Sequence, residues 1–127
     1  MKTYDQAIFD ALIEKSRGLG YDTYPNLPKE SANYPFVHIG EVQRLTGYSK
    51  THKFPIFSVT VTIWGDYTNR RKIAEMVANL WLEWAVIYCG EVPLKLRETS
   101  SSYRIWEQAQ SPELTLWRGD MDLEFYI

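Results

Sequence analysis

The chain has 127 residues, 45% hydrophobic and 15% aromatic, with a formal net charge of −2. That length supports one core rather than two, and the apolar content excludes an intrinsically disordered chain. The near-neutral balance gives no overall attraction to polyanions, so a single α+β domain over residues 1–127 is the expectation.

Thr3-Tyr4-Asp5-Gln6 reads as a capping box, in which the Thr3 hydroxyl accepts from the third helical N–H and Gln6 reaches back to the cap. Tyr4, Ile8 and Leu12, flanked by Phe9 and Ile13, make one apolar stripe, which predicts a helix over about residues 4–17 ended by a left-handed Gly18. Gly20 to Pro25 predicts a brief strand, followed by a loop over Asn26 to Tyr34. Phe36 to Val42 carries apolar residues in both parities, as a central strand covered on both faces would. Phe57, Val59, Val61 and Ile63 alternate strictly with Ser58, Thr60, Thr62 and Trp64, the clearest strand signal in the chain. Between these strands Thr46 to Lys53 reads as an eight-residue polar and basic loop, longer than a hairpin needs.

A second helix is predicted over about Thr68 to Tyr88, supported by Arg71 and Glu75 four residues apart and by Ile73, Val77, Leu80 and Trp84 on one face. Its second half, with Trp81, Leu82 and Trp84 to Tyr88, has almost no polar arc, so cover from a neighbouring subunit is expected there. Two closing strands fold back at Ala109 to Pro112, with Leu96 facing Phe125, Leu94 facing Ile127, Ser102 facing Gly119 and Ile105 facing Leu116. The same register pairs Arg97 with Glu124 and sets Lys95 beside Tyr126. Apolar parity on the last strand flips near Gly119, which predicts a bulge there. The resulting order is α-β-β-β-α-β-β, a mostly antiparallel sheet with helices packed against it.

No chemistry-bearing constellation emerges. Asp5 and Asp10 interrupt the apolar run an export signal needs, and Cys89 is the only cysteine, so no intrachain disulfide is expected. His38 lies in an apolar strand and His52 in a loop, neither with ligands at metal spacing. Ser100 to Ser102 lacks a nucleophile elbow, and Gly18-Leu19-Gly20 follows a helix rather than opening one. Arg118-Gly119-Asp120 matches an adhesion tripeptide, but its strand context argues for an intrastrand role. Ile73 to Cys89 carries Glu75 and Glu83 and falls short of the roughly 20 apolar residues of a membrane span. No catalytic residue, metal ligand or cofactor site is therefore expected. The interface candidates are Tyr48, Lys50, His52 and Lys53 in the long loop, Arg70, Arg71 and Lys72 at the start of the second helix, Trp81 and Trp84 further along it, and the acidic row Asp120, Asp122 and Glu124.

Tyr24-Pro25, then Tyr34-Pro35 to Glu41, Phe57 to Gly65, Arg71 to Val77 and the closing Arg118-Gly119-x-Met121-x-Leu123-x-Phe125 together resemble the small tail-completion, or tail-terminator, proteins of long-tailed bacteriophages and prophages. The tryptophan-rich second helix departs from that pattern. The resemblance implies a non-enzymatic part without cofactors, six copies of which form a ring that caps the tail tube, stops its growth and joins the tail to the head. It implies as partners the chain itself, the tail tube protein and a head-completion or connector protein, with no membrane and no sequence-specific nucleic acid. Assembly would take place in the host cytoplasm, ending in the tail or neck of the virion. Two other readings stay open on the sequence: a different head–tail connector of the neck, and a small-molecule-binding regulatory domain of α+β type.

Overall fold

A computed structural model describes residues 2–28 and 32–127. Helix α1 (Tyr4–Gly18) leads into the short strand β1 (Thr23–Tyr24), then into two long strands, β2 (Phe36–Tyr48) and β3 (Lys53–Gly65). Helix α2 (Arg70–Glu83) follows, then the small hairpin of β4 (Val86–Cys89) and β5 (Val92–Leu96), a 3₁₀ turn over Glu98–Ser100, and the hairpin of β6 (Ser102–Ser111) and β7 (Leu114–Tyr126). The fold class is α+β, as expected, with two helices and seven strands.

One sheet runs in the order β1-β2-β3-β7-β5-β4, and β6 joins it beside β7. All pairings are antiparallel except β1 with β2. At its centre β3 and β7 pair from Ile56↔Tyr126 to Gly65↔Trp117 without a shift. The strict alternation read from Phe57 to Trp64 therefore holds, and the strand itself continues outward to Lys53, with Ile56 and Phe57 both buried where the alternation ends. Phe57, Val59, Val61 and Ile63 face the same side as Met121, Leu123 and Phe125, all nearly fully buried. Ile8 and Leu12 of α1 and Ile73, Met76, Val77 and Leu80 of α2 cover that side, so both helices share one face. Each such aliphatic or aromatic side chain contributes about 1.5–3 kcal/mol on burial.

Thr3 caps α1 as expected, accepting from the Gln6 N–H, but the Gln6 side chain donates forward to Asp10 instead of back to the cap. The left-handed residue after the helix is Gly20, at φ 87°, not Gly18, which is the last helical residue. The buried Ser16 and Thr23 hydroxyls meet at 2.7 Å, and Arg17 donates to the Thr23 carbonyl, so the end of α1 fixes β1. The loop expected over Asn26 to Tyr34 lies partly outside the described residues.

The second helix stops at Glu83, and Val86–Cys89 is a strand paired with Val92–Leu96. The last of the residues that made the helix look apolar all round, Val86 to Tyr88, thus belong to an alternating strand, with Ile87 buried and Val86 and Tyr88 exposed. Trp84 sits at the helix end with no exposed surface, so it is core and not an interface residue.

The long loop is also different. β2 and β3 pair as far as Tyr48↔Lys53, leaving only Ser49 to His52 as a turn, so the excess length is an extended hairpin arm. Within the turn the Ser49 N–H donates to the His52 carbonyl, and the Ser49 hydroxyl accepts from the His52 N–H.

No register shift interrupts β7 at Gly119 in its pairing with β3 or β6; the bulges lie in β2 between Ile39 and Val42, and in β6 between Ala109 and Ser111. The β2 bulge explains the apolar residues of both parities, because it turns Val42 to the side that Val37 and Ile39 face. Gly40 permits it, since a Cβ there would lie 2.7 Å from the Thr60 carbonyl oxygen. On β7 Leu116 faces the side without helices. Gly119 serves close packing: a Cβ would lie 2.8 Å from Ile73 Cγ2 and 3.1 Å from Val77 Cγ2 of α2.

Pairings near the base of the last hairpin follow the expected register, including Leu96↔Phe125, Lys95↔Tyr126 and an Arg97–Glu124 ion pair at 3.5 Å. Toward the tip the register differs, with Ser102↔Asp122 and Ile105↔Gly119. The 3₁₀ turn and the serine run take up the difference where β7 exchanges β5 for β6 as neighbour. Ser101 Oγ accepts from the Glu124 N–H and donates to the Arg97 carbonyl, bridging the break.

Two measurements test this packing. Gly119→Val should lower stability by about 1–3 kcal/mol in urea unfolding through overpacking, whereas Gly18→Ala, with nothing within 4 Å of its Cβ, should be neutral or raise it by up to about 1 kcal/mol. His38 is held below its ordinary value by partial burial. The unfolded chain then takes up that proton first as pH falls, so the His38 contribution is present above about 6.5 and lost on acidification below it. His38→Gln should flatten that part of the stability–pH profile.

Candidate assembly surfaces

The helix-free face of the sheet is the first candidate. On it β3, β7 and β6 align Trp64, Arg118 and Trp106 side by side through the pairs Trp64↔Arg118 and Trp106↔Arg118. The Arg118 guanidinium carbon lies 4.5 Å from the Trp64 ring centre and 5.0 Å from that of Trp106, and Arg104 lies 4.8 Å from Trp106 on its own strand. Such cation–π contacts contribute about 0.5–2 kcal/mol each, depending on desolvation. Asp120 fixes the array, accepting from Trp106 Nε1 at 2.6 Å and Arg118 Nη2 at 3.1 Å, while Gln108 accepts from Arg118 Nη1.

The adhesion-like triplet is thereby explained within the strand. Arg118 and Asp120 clamp the outer face, and Gly119 admits α2 on the inner one. It lies mid-strand, not on a protruding loop. The acidic row is largely engaged inside the chain: Asp120 with Arg118 and Trp106, Glu124 with Arg97. Asp122, opposite Thr60 and Ser102, is the exposed member.

The second candidate is the arm. Tyr48 is 72% exposed, with Lys53 Nζ 5.9 Å from its ring centre, and Lys50 and His52 are exposed in the turn. The His52 ring lies 3.1 Å from both the Ser49 and Thr51 hydroxyls, so it supports the turn. From Val42 to Gly65 there is no acidic residue, which leaves Arg44, Lys50 and Lys53 uncompensated along the hairpin.

The basic run in the first turn of α2 is spread over aromatic rings. Arg70 lies 5.4 Å from the Trp117 ring centre and Lys72 5.7 Å from that of Tyr21, while Arg71 is exposed. The Arg71–Glu75 pair expected from spacing is not among the ion pairs of the described residues. Trp81 is half-buried, packs edge-on to Tyr103 at 5.7 Å, and donates to Glu98, so it ties α2 to the end strands.

A third surface carries no clear signal in the sequence. A cleft of about 830 Å³ opens between the first half of α1 and the β4–β5 turn, with Tyr4, Ala7, Ala11, Phe57 and Val92 among its apolar walls. Ala7 and Ala11, four apart on α1, keep it open on that side. Asp5, Asp10 and Glu14 stand along it, with Lys2 and Arg44. Lys2 pairs with Asp10 at 2.8 Å and, with Gln6, holds that carboxyl below its ordinary value, while the Asp10 carboxylate raises Lys2. Thr3 lowers Asp5 similarly, so both carboxylates are ionised at neutral pH.

Among the described residues no group of three or more His, Cys, Asp or Glu side chains converges as a metal site, and no helix is long and apolar enough to cross a membrane. No family model matches the sequence, and no curated protein does. The fold, however, is similar to that of a chain described as "Virion of native gene transfer agent (GTA) particle". The likeness has a TM-score of 0.68 at 14% identity and covers 98% of each chain, so the two share their architecture from end to end.

Proposed function

We propose that this chain is a structural component of a phage-like particle that caps the tail tube as a ring and joins the tail to the head. The observation that carries the reading is the end-to-end likeness in fold to a chain of a virion particle, 98% of both chains at a TM-score of 0.68. The tail-completion pattern of the sequence supports the narrower role. So does the distribution of surface: a sheet with one helix-free face, a basic hairpin arm projecting from it, and an acid-lined apolar cleft elsewhere. Ring closure needs two different patches on each subunit, and the arm and cleft supply a pair of unlike surfaces. In this role the chain contributes contact surface, not bond-making chemistry.

Removal of the gene from the particle's genome should yield tube-like tails of uncontrolled length, detached from heads, when particles are viewed by electron microscopy. The purified protein should form rings that bind the ends of isolated tubes. Tails of normal length that merely fail to attach would assign the chain to another connector of the neck. Normal particle yield would reject the reading.

A further inference from the structure

The arm and the cleft match each other in a way one chain cannot satisfy alone. The arm presents an exposed Tyr48 flanked by Lys50 and Lys53, with no acidic residue over the whole hairpin after Glu41. With Lys2 and Arg44 as its own cations, the cleft has an apolar floor of Tyr4, Ala7, Ala11 and Val92, edged by the carboxylates of Asp5, Asp10 and Glu14 on α1. Of those, Asp10 is engaged by Lys2, which leaves Asp5 and Glu14 without a cation within ion-pair distance among the described residues.

Arg44 and Phe57 line this cleft and are themselves a pair at the root of the arm. From that pair the ladder continues outward to Tyr48↔Lys53 without a bulge, so the arm leaves its own cleft as a straight two-stranded rod. At about 3.3 Å per residue, the four steps from Arg44 to Tyr48 place the tip roughly 13 Å beyond the root. A continuous antiparallel ladder cannot fold back over that distance, so the only cleft the tip can enter belongs to another molecule.

We infer that the tip of the β2–β3 arm of one copy inserts into the α1/β4–β5 cleft of the next, with Tyr48 on the apolar floor and Lys50 and Lys53 beside Asp5 and Glu14. The occupant is a second copy of this chain because the arm is basic and free of acidic residues, while Asp5 and Glu14 in the cleft have no ion-pair partner among the described residues. The contact is heterologous, so repetition gives a ring where the rotation closes and a filament where it does not. It rests on the proposed ring and names the surfaces that would build it.

Cys89, the only cysteine, lines the cleft and makes the contact directly testable. Thr51→Cys places a second thiol at the exposed tip. With a short bismaleimide the purified variant should give a ladder of covalent oligomers on a denaturing gel. The ladder should vanish in Thr51→Cys/Cys89→Ser and fall at least several-fold when Asp5 and Glu14 are both changed to Lys. Reversing Lys50 and Lys53 to Glu in that last background should restore it, an outcome that a folding defect would not produce. A monomer band alone, including one linked within a single chain, overturns the contact, as does a small molecule found occupying the cleft of the purified protein. Rings seen by electron microscopy without a ladder reject the arm-in-cleft contact and leave the ring reading standing.

Discussion

The structure depends on the uninterrupted ladder between β3 and β7, ten residue pairs from Ile56↔Tyr126 to Gly65↔Trp117. Because side chains alternate along a strand, one register fixes both faces at once. It gathers Phe57, Val59, Val61 and Ile63 with Met121, Leu123 and Phe125 on the side where α1 and α2 dock. A slip of one residue would turn that whole set outward. Gly119 is a point of close approach between helix and sheet, and its lack of a Cβ lets Ile73 and Val77 settle onto the ladder.

What this ladder does to the opposite face matters most for the proposed role. With both helices on one side, the other is held by side chains alone, and Trp64, Arg118 and Trp106 stack across three strands with Asp120 as their hydrogen-bonding partner. The same ladder anchors β3, from which β2 and β3 project as an arm well past the core. A rigid support carrying a stiff projection transmits a contact made at its tip, whereas a floppy eight-residue loop would have to be ordered first, at an entropic cost. The likeness to a virion chain, spanning the full length of both, concerns this architecture.

Much of the fold was legible because it rests on periodicity. The alternation from Phe57 to Trp64, the stripe of Tyr4, Ile8 and Leu12, and the Leu96↔Phe125 register all follow from which residues must face a core. Where sequence reading went astray, local patterns had two solutions. Val86 to Cys89 continues a helical apolar run equally well as it alternates in a strand, and only its pairing with Val92–Leu96 decides. Polar residues from Thr46 to Lys53 read as loop because an exposed arm needs no apolar face. The parity change on β7 needs no bulge at Gly119, because Leu116 faces the helix-free side while Met121, Leu123 and Phe125 face the helices; the bulge lies in β2 at Gly40 and Glu41, where backbone crowding against Thr60 selects glycine. The cleft was invisible because its walls come from α1, the root of the arm and β4–β5, segments brought together only by the topology. Trp84 misled for a related reason: a buried tryptophan and an interfacial one have the same sequence signature, and only the fold separates them.

In the proposed role this molecule works through its surfaces, with the arm as a principal contact. Hydrogen–deuterium exchange compared between the free protein and assembled particles reads that claim most directly. Strong new protection is expected at the amides of Gly47 to Phe54 and along the Tyr4 to Ala11 side of α1 on assembly, while the β3–β7 ladder stays protected in both states. Unchanged exchange at the arm and at α1 in assembled particles would contradict it.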